Sequence, residues 1–464
     1  MKLVYKVQDR PPFGKMLVFA FQQLLAILAA TIVVPAIING NAGLTGADAM
    51  SQAAALFGAG VGTIVYLLFT KFKSPVFLGS SFAFIGSMTA AFAGAVSAAA
   101  GYMGIILGAI LAGLVYVVIA IIVKIAGVKW IAKLMPAVVI GPTVALIGLS
   151  LAGAAIKDVF SYGPQDANGS FVMTANIWIS LICALATLVT VILCSVYGKK
   201  MAKLIPFILG ILVGYAVALI FTVIGTVASI DTLKVIDFGK FTALWDGGVT
   251  LGTFFAIPDF TFVKAIDGLD AFSWDYLTTV AVAYVPVAFV VFAEHIADHK
   301  NLSSIIEADL LEEPGLHRTL LGDGVGSAVG GFFGGCPNTT YGESVGCVAI
   351  SGNASITTIF TTAIMAILVS FFTPFVTFLS SIPGCVMGGV CITLYGFIAV
   401  SGLKMIQKVD LEQNKNLFVV SSILIPGIGG MAMAIGKVTI TAIACALILG
   451  IVINLLVQNK KEEQ

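Results

Sequence analysis

From Met16 to Ile38 the chain runs 23 residues without a charged side chain, and comparable stretches recur along nearly all of its length. A helix needs roughly 20 such residues to cross the hydrocarbon of a bilayer. A cleavable secretory signal has an apolar centre of only roughly 7–15. The first run, preceded by Lys2, Lys6, Arg10 and Lys15, is therefore expected to stay as a membrane crossing. Composition removes the alternatives. Apolar residues make up 59% of the 464 positions and charged residues 10%, against roughly 25% charged in soluble domains. So few charges cannot cover a soluble body of this size. A globular enzyme, a disordered chain and a nucleic-acid binder are excluded, and the net charge of +1 draws the chain to no phosphate polymer.

Hydropathy divides the chain into fourteen segments, at about 15–38, 51–72, 76–96, 101–125, 132–155, 172–196, 203–226, 276–297, 317–334, 338–352, 355–376, 382–402, 416–432 and 436–457. Loop charge agrees with that division. With both ends cytoplasmic, 19 of the 24 basic residues fall inside, and only Lys157, Lys234, Lys240, Lys264 and Lys437 fall outside, as the positive-inside rule requires. The outer loop 227–275 carries seven aspartates and three lysines. Its Trp245–Phe262 stretch, rich in glycine and aromatics, is left unassigned.

The chain repeats itself. Pro136-Ala-Val-Val-Ile-Gly141 opens segment five and Pro383-Gly-Cys-Val-Met-Gly388 opens segment twelve, 247 positions later. Segment three carries Pro75 and Gly79-Ser80-Ser81, and segment ten carries Pro337 and Gly342-Glu343-Ser344. Seven spans per half make the second half enter the membrane upside down. Inverted repeats with broken segments at matching places mark a secondary transporter whose site lies where the breaks meet. The proline pair is read as a break in segments five and twelve.

Four carboxylates fall within the apolar segments: Glu294, Asp298, Asp323 and Glu343. Each costs on the order of 2.5–3.5 kcal/mol near the bilayer centre and normally faces a cavity, a partner or a pathway. Glu294 and Asp298 are one helical turn apart and share a face. The plainer reading is interhelical hydrogen bonding, which weighs most for Asp298 and Asp323, nearer the cytoplasmic edge. The breaks at 79–84 and 341–343 offer freed backbone N–H groups to a small polar ligand. A flat ring with alternating carbonyl and N–H edges suits amides, carboxylates and covering aromatic rings together.

Other patterns carry less. The seven cysteines lie mostly in apolar runs and read as packing residues, with neither disulfide framework nor metal site. Gly322-Asp-Gly-Val-Gly326 lacks a βαβ setting and reads as close helix packing. His295 and His299 have the spacing of a zinc pair but no third ligand follows. No Walker sequence is present, so the chain is no ATP-driven pump by itself.

Several stretches together resemble the nucleobase–ascorbate transporter family, most closely its bacterial uracil permease branch. They are Arg10-Pro-Pro12, Gly79-Ser-Ser-Phe-Ala-Phe-Ile85, Ala293-Glu-His295, Pro314-Gly-Leu-His-Arg318, Pro337-Asn-Thr-Thr-Tyr-Gly-Glu343 and Val386-Met-Gly-Gly389. The resemblance implies an all-α polytopic membrane protein of two inverted sets of seven segments, with segments 3 and 10 broken by short extended stretches. It implies a core (1–130 and 276–378) and a gate (131–227 and 379–464), with the outer loop at 228–275. It implies a permease in a bacterial plasma membrane that imports uracil with a proton, uses no cofactor and binds no nucleic acid. It leaves a homodimer open.

By that resemblance Glu294 holds a pyrimidine N–H and Glu343 accepts from another. Backbone groups of Phe82 and Gly342 meet the carbonyls, and Ala30, Tyr341 and Tyr395 line the pocket. Glu294 carries the proton; Asp298, which departs from the pattern but shares a helix face with Glu294, is read as a relay. A glutamate at position 343 is typical of uracil carriers, where purine carriers tend to have glutamine. The chain departs from the pattern at four places. Ser344-Val-Gly346 stands for Asn-x-Gly, Ser351-Gly352 for a closing Thr-Arg, Gln23 for a histidine of segment one, and Asp298 for a second histidine after Glu-His. Xanthine or another nucleobase is the alternative substrate. A channel or anion exchanger of the same architecture is the alternative class, and a membrane enzyme has no supporting motif.

Overall fold

A computed structural model describes residues 3–161, 163–199, 201–435 and 438–458. Lys2, Lys200, Lys437, Lys460 and Lys461 of the charge partition lie outside the described residues. Among the described residues, eight helices are long and apolar enough to cross a membrane, and shorter apolar helices accompany them. The fold is all-α and polytopic.

The helices that matter to the site are α1 (Phe13–Ala42), α2 (Gln52–Phe69), α3 (Ile85–Ala93) and α4 (Ala98–Ala126) in the first half. They are followed by α5 (Ala137–Ser150), α6 (Ala152–Val159), α7 (Ala175–Tyr197) and α8 (Pro206–Val227). The second half supplies α9 (Trp274–Ile306), α10 (Leu316–Gly334), α11 (Gly342–Ser351), α12 (Ile356–Ser370), α13 (Thr373–Ser381), α14 (Gly384–Ile406), α15 (Asn414–Ile428) and α16 (Ala442–Gln458). Ser51, Ser97 and Ser273 cap α2, α4 and α9, each accepting from a backbone N–H three residues on. This satisfies donors that a helix start leaves open.

Segments three and ten are broken. Leu78–Ser80 (β1) and Asn338–Thr340 (β2) are extended and pair antiparallel, Leu78 with Thr340, Gly79 with Thr339 and Ser80 with Asn338. Backbone that leaves the helix inside a membrane must find partners in protein, and here each break satisfies the other. Antiparallel pairing suits two segments that enter from opposite sides.

Helices α1 to α4 and α9 to α12 pack chiefly among themselves, as do α5 to α8 and α14 to α16. Small residues permit close approach in the first set. A Cβ on Gly113 of α4 would stand 2.5 Å from the Gly324 carbonyl of α10, and one on Gly58 of α2 would stand 2.9 Å from the Gly330 carbonyl. The glycines around Asp323 thus serve helix packing.

Three features differ from the expectation. Pro136 and Pro383 do not lie inside helices; each stands between two, after a short helix at Lys129–Leu134 and after α13, as the N-cap of α5 and of α14, where a missing N–H costs nothing. The proline inside α5 is Pro142. Helix α9 runs on to Ile306, beyond the hydropathy limit of 297, because Asp298 and His299 are polar yet helical. Between α15 and α16 the chain forms a short antiparallel ladder, Met433–Ile435 (β3) with Val438–Ile440 (β4), which packs against α9.

The outer loop has structure of its own. Phe260 and Phe262 join Phe57, Phe332 and Phe333 in an aromatic cluster with centroid separations of 4.8–5.9 Å. The Lys264 ammonium donates to the carbonyls of Ala47 and Ala49. At the opposite chain end, the N-terminal strap runs beside the loop after α11. The Val4 and Tyr5 N–H groups donate to Gly352 O, and the Ala354 and Ile356 N–H groups donate to Tyr5 O and Val7 O.

Candidate functional site

The crossing of β1 and β2 brings two helix starts together. After Ser81 a 3₁₀ turn, Phe82–Phe84, leads into α3, and Tyr341 is the N-cap of α11. The first N–H groups of each helix lack an intrahelical acceptor, and the helix dipole puts partial positive charge there. The two turns are tied by backbone bonds: Tyr341 N–H donates to Phe77 O (3.1 Å) and Ser81 N–H to Pro337 O (2.9 Å). The Tyr341 ring lies against Gly79, where a Cβ would collide with it. Its hydroxyl donates to Ser80 O at 3.0 Å and lies 3.4 Å from Thr31 Oγ1 of α1. The phenol thus links both breaks to α1.

Helix α9 supplies the facing wall. Val290–Ala293 and His295 are buried, whereas Glu294 and Asp298 are half-buried, as is Glu343 across from them. Half-exposed carboxylates amid buried neighbours border an internal opening. Glu294, Asp298 and Glu343 lie within electrostatic reach of one another. The Thr340 hydroxyl donates to Asp298 Oδ2 at 2.8 Å, which fastens α9 to the extended stretch of segment ten. A Cβ on Gly342 would meet only Asp298 Oδ1, at 3.8 Å. The start of α11 is therefore open toward the carboxylates.

The opposite helix set contributes Tyr395 of α14. Its ring meets that of Phe82 edge-to-face, with centroids 5.6 Å apart and planes at 74°. Both are nearly buried, at 2% and 7% exposure, so this contact joins the two helix sets beside the 3₁₀ turn. Ala30 is fully buried in the middle of α1, next to Thr31. The site residues expected from sequence thus gather around one crossing. Glu294, Asp298 and Glu343 lie near one another with Asp298 beside Gly342, Phe82 meets Tyr395, Tyr341 ties the two breaks together, and Ala30 adjoins Thr31 on α1.

Sequence reasoning named Asp323, His295 and His299 but not the contacts that join them into a layer behind this arrangement. His295 Nδ1 lies 2.7 Å from Asp323 Oδ2, and its Nε2 lies 3.0 Å from Thr319 Oγ1, both on α10. His295 and Asp323 are both fully buried. The His299 ring stacks on His295 at 4.0 Å, donates from Nδ1 to His295 O and meets the Tyr66 hydroxyl of α2 at Nε2, 2.7 Å away. The zinc-like histidine spacing therefore serves hydrogen bonding between α9, α10 and α2. Asp323 was visible as a carboxylate in an apolar run, with interhelical hydrogen bonding as its plainer reading; that its partner is His295, 28 positions earlier, was not.

A profile of a permease family matches residues 14–436. A uracil permease of Bacillus caldolyticus is 37% identical over 464 residues, covering 99% of this chain and 96% of that protein. A uracil permease of Bacillus subtilis (strain 168) is 36% identical over 462 residues, with the same coverage of 99% and 96%. Among solved structures, the transmembrane domain of a cyanobacterium bicarbonate transporter, BicA, matches with a TM-score of 0.55. The match covers 98% of this chain and 100% of that one at 15% identity, so the likeness is one of fold alone.

Proposed function

Because this chain belongs to the permease family matched over residues 14–436, the nucleobase–ascorbate transporter family, we propose that it imports uracil by proton symport. It is a multi-pass membrane transporter and not an enzyme. The observation that carries the reading is the set of carboxylates on α9, Glu294 and Asp298, facing the Tyr341–Glu343 turn across a crossing of two helix starts. Relatives named uracil permease over nearly the whole chain point to the same ligand.

In this reading the pyrimidine lies between the helix starts. Glu343 and Glu294 each accept from a ring N–H, and the backbone N–H groups of Phe82 and Gly342 donate to the carbonyls. Phe82 and Tyr395 cover the ring on the side of the second helix set, with Tyr341 and Ala30 behind. Glu294 takes up the proton and passes it through Asp298, so no cofactor is needed beyond the coupling ion. Clustered carboxylates repel an anion, which favours a neutral base over an anion exchanger of the same fold.

Fourteen segments and both termini in the cytoplasm of a bacterium complete the proposal. Segments one to four and eight to eleven act as a core that moves against a gate of five to seven and twelve to fourteen. Inverted repeats with matching breaks support a reading of alternating access.

Uptake of labelled uracil into vesicles carrying the purified protein tests it. Uptake is expected to rise with an inward proton gradient and collapse with a protonophore, and unlabelled uracil is expected to compete better than xanthine. Uptake that survives the protonophore and needs sodium overturns proton coupling. Stronger competition by xanthine overturns the substrate.

A further inference from the structure

We infer that Gln23 of α1 and Ser344 of α11 form a positioning pair that sets where the Glu343 carboxylate stands, and through it the affinity for the base. The inference rests on the reading of Glu343 as a substrate carboxylate. Ser344 follows Glu343 directly and is fully buried, as is almost all of Gln23, at 3% exposure. The Gln23 side-chain amide donates to Ser344 Oγ at 2.5 Å and approaches Ser344 O at 3.4 Å. The same hydroxyl accepts from the backbone N–H of Phe77 at 3.0 Å.

Three segments therefore meet at one oxygen. Phe77 leads into β1, and its carbonyl already accepts from Tyr341 N–H at 3.1 Å. Both backbone polar groups of Phe77 are thus held by the turn that presents Glu343, one through Tyr341 and one through Ser344. Gln23 adds α1, which also reaches the turn through Thr31 and the Tyr341 hydroxyl. Ser344 is the third residue of α11, a position from which a serine has no preceding turn of its own helix to bond. Its hydroxyl serves neighbouring segments instead. The two positions are also ones at which this chain departs from the family pattern, Gln23 in segment one and Ser344 after the glutamate. The two unusual residues are each other's partners across 321 positions.

A pair that only fills space and a pair that aims Glu343 differ in how their loss combines with loss of that carboxylate. If Ser344 acts through Glu343, its removal matters while the carboxylate is present and adds little once it is gone. Uracil binding to the purified, detergent-solubilised full chain by isothermal titration reads this. Ser344→Ala and Gln23→Leu are each expected to weaken binding about 3- to 20-fold, as one lost hydrogen bond of this kind does. The two together are expected to weaken it no more than the worse single change. In a Glu343→Gln background, Ser344→Ala is expected to add less than about twofold.

Backbone hydrogen exchange without ligand is read on the same samples. The Phe77 amide is expected to exchange faster in Ser344→Ala. Full additivity with Glu343→Gln, or unchanged affinity in Ser344→Ala while Glu343→Gln weakens binding, overturns the pair's role and leaves the functional reading standing. Unchanged affinity in Glu343→Gln overturns the functional reading instead. Unchanged exchange at Phe77 in Ser344→Ala overturns the positioning pair whatever ligand the protein takes.

Discussion

Replacing Asp323 by alanine examines the layer behind the site. Asp323 and His295 are both fully buried, and the 2.7 Å contact joins α10 to the helix that carries Glu294. Alanine removes a buried hydrogen bond of roughly 0.5–1.5 kcal/mol. It also leaves the buried imidazole nitrogen without its partner, a further cost of roughly 1–3 kcal/mol. Asparagine is the informative comparison, because its amide keeps a hydrogen-bonding group in the same place. We expect Asp323→Asn to cost about one-third of what Asp323→Ala costs, that is, about 0.5–1.5 kcal/mol. Equilibrium unfolding in mixed micelles, followed by tryptophan fluorescence and repeated with Thr319→Val as a milder control, gives both numbers. Equal losses for asparagine and alanine would refute the argument, because the carboxyl group itself rather than a hydrogen-bonding group at that position would then be the requirement. No loss in either variant would remove the pair from the stabilising layer altogether.

Three further outcomes follow from the geometry. Glu343→Gln exchanges a charged acceptor for a mixed donor and acceptor, so uracil affinity measured by titration should fall by about one to two decades; wild-type affinity would move the site away from the start of α11. Gly324→Leu forces a side chain toward the Gly113 carbonyl and the Tyr116 side chain of α4, and the purified variant should lose its monodisperse peak on size exclusion, whereas Gly153→Leu, where a Cβ meets nothing, should behave as wild type. Cysteines placed at Phe82 and Tyr395 and joined by a short bifunctional crosslinker should stop uptake by tying the two helix sets at their contact, and undiminished uptake after verified crosslinking would count against relative motion of those sets.

The amino-acid sequence alone determined that this chain lives in a membrane, because so few charges leave no other solvent for its apolar runs. It also determined where the helices had to fail. Pro75 and Gly79 in one half and Pro337 and Gly342 in the other are local conformational signals, readable without knowing what lies beside them. Glu294, Asp298 and Glu343 stood out for a similar reason, since a carboxylate in hydrocarbon is costly wherever its partner is. Local signals misled where they were ambiguous. Pro136 and Pro383 read as breaks, yet a proline at an N-cap starts a helix as readily as a proline within one bends it.

Only the tertiary structure decided what each of these groups meets. That Ser344 accepts from Gln23, that Thr340 fastens Asp298, that Asp323 holds His295 and that Phe82 meets Tyr395 are facts of packing between segments 28 to 321 positions apart. Hydropathy assigns each residue to a helix and a depth. It does not fix the rotation of one helix against another, and a hydrogen bond a few ångströms long depends on that rotation. Glycine contacts such as Gly113 on Gly324 set how closely α4 and α10 approach. That approach in turn sets which polar groups on the neighbouring helices come within reach of one another.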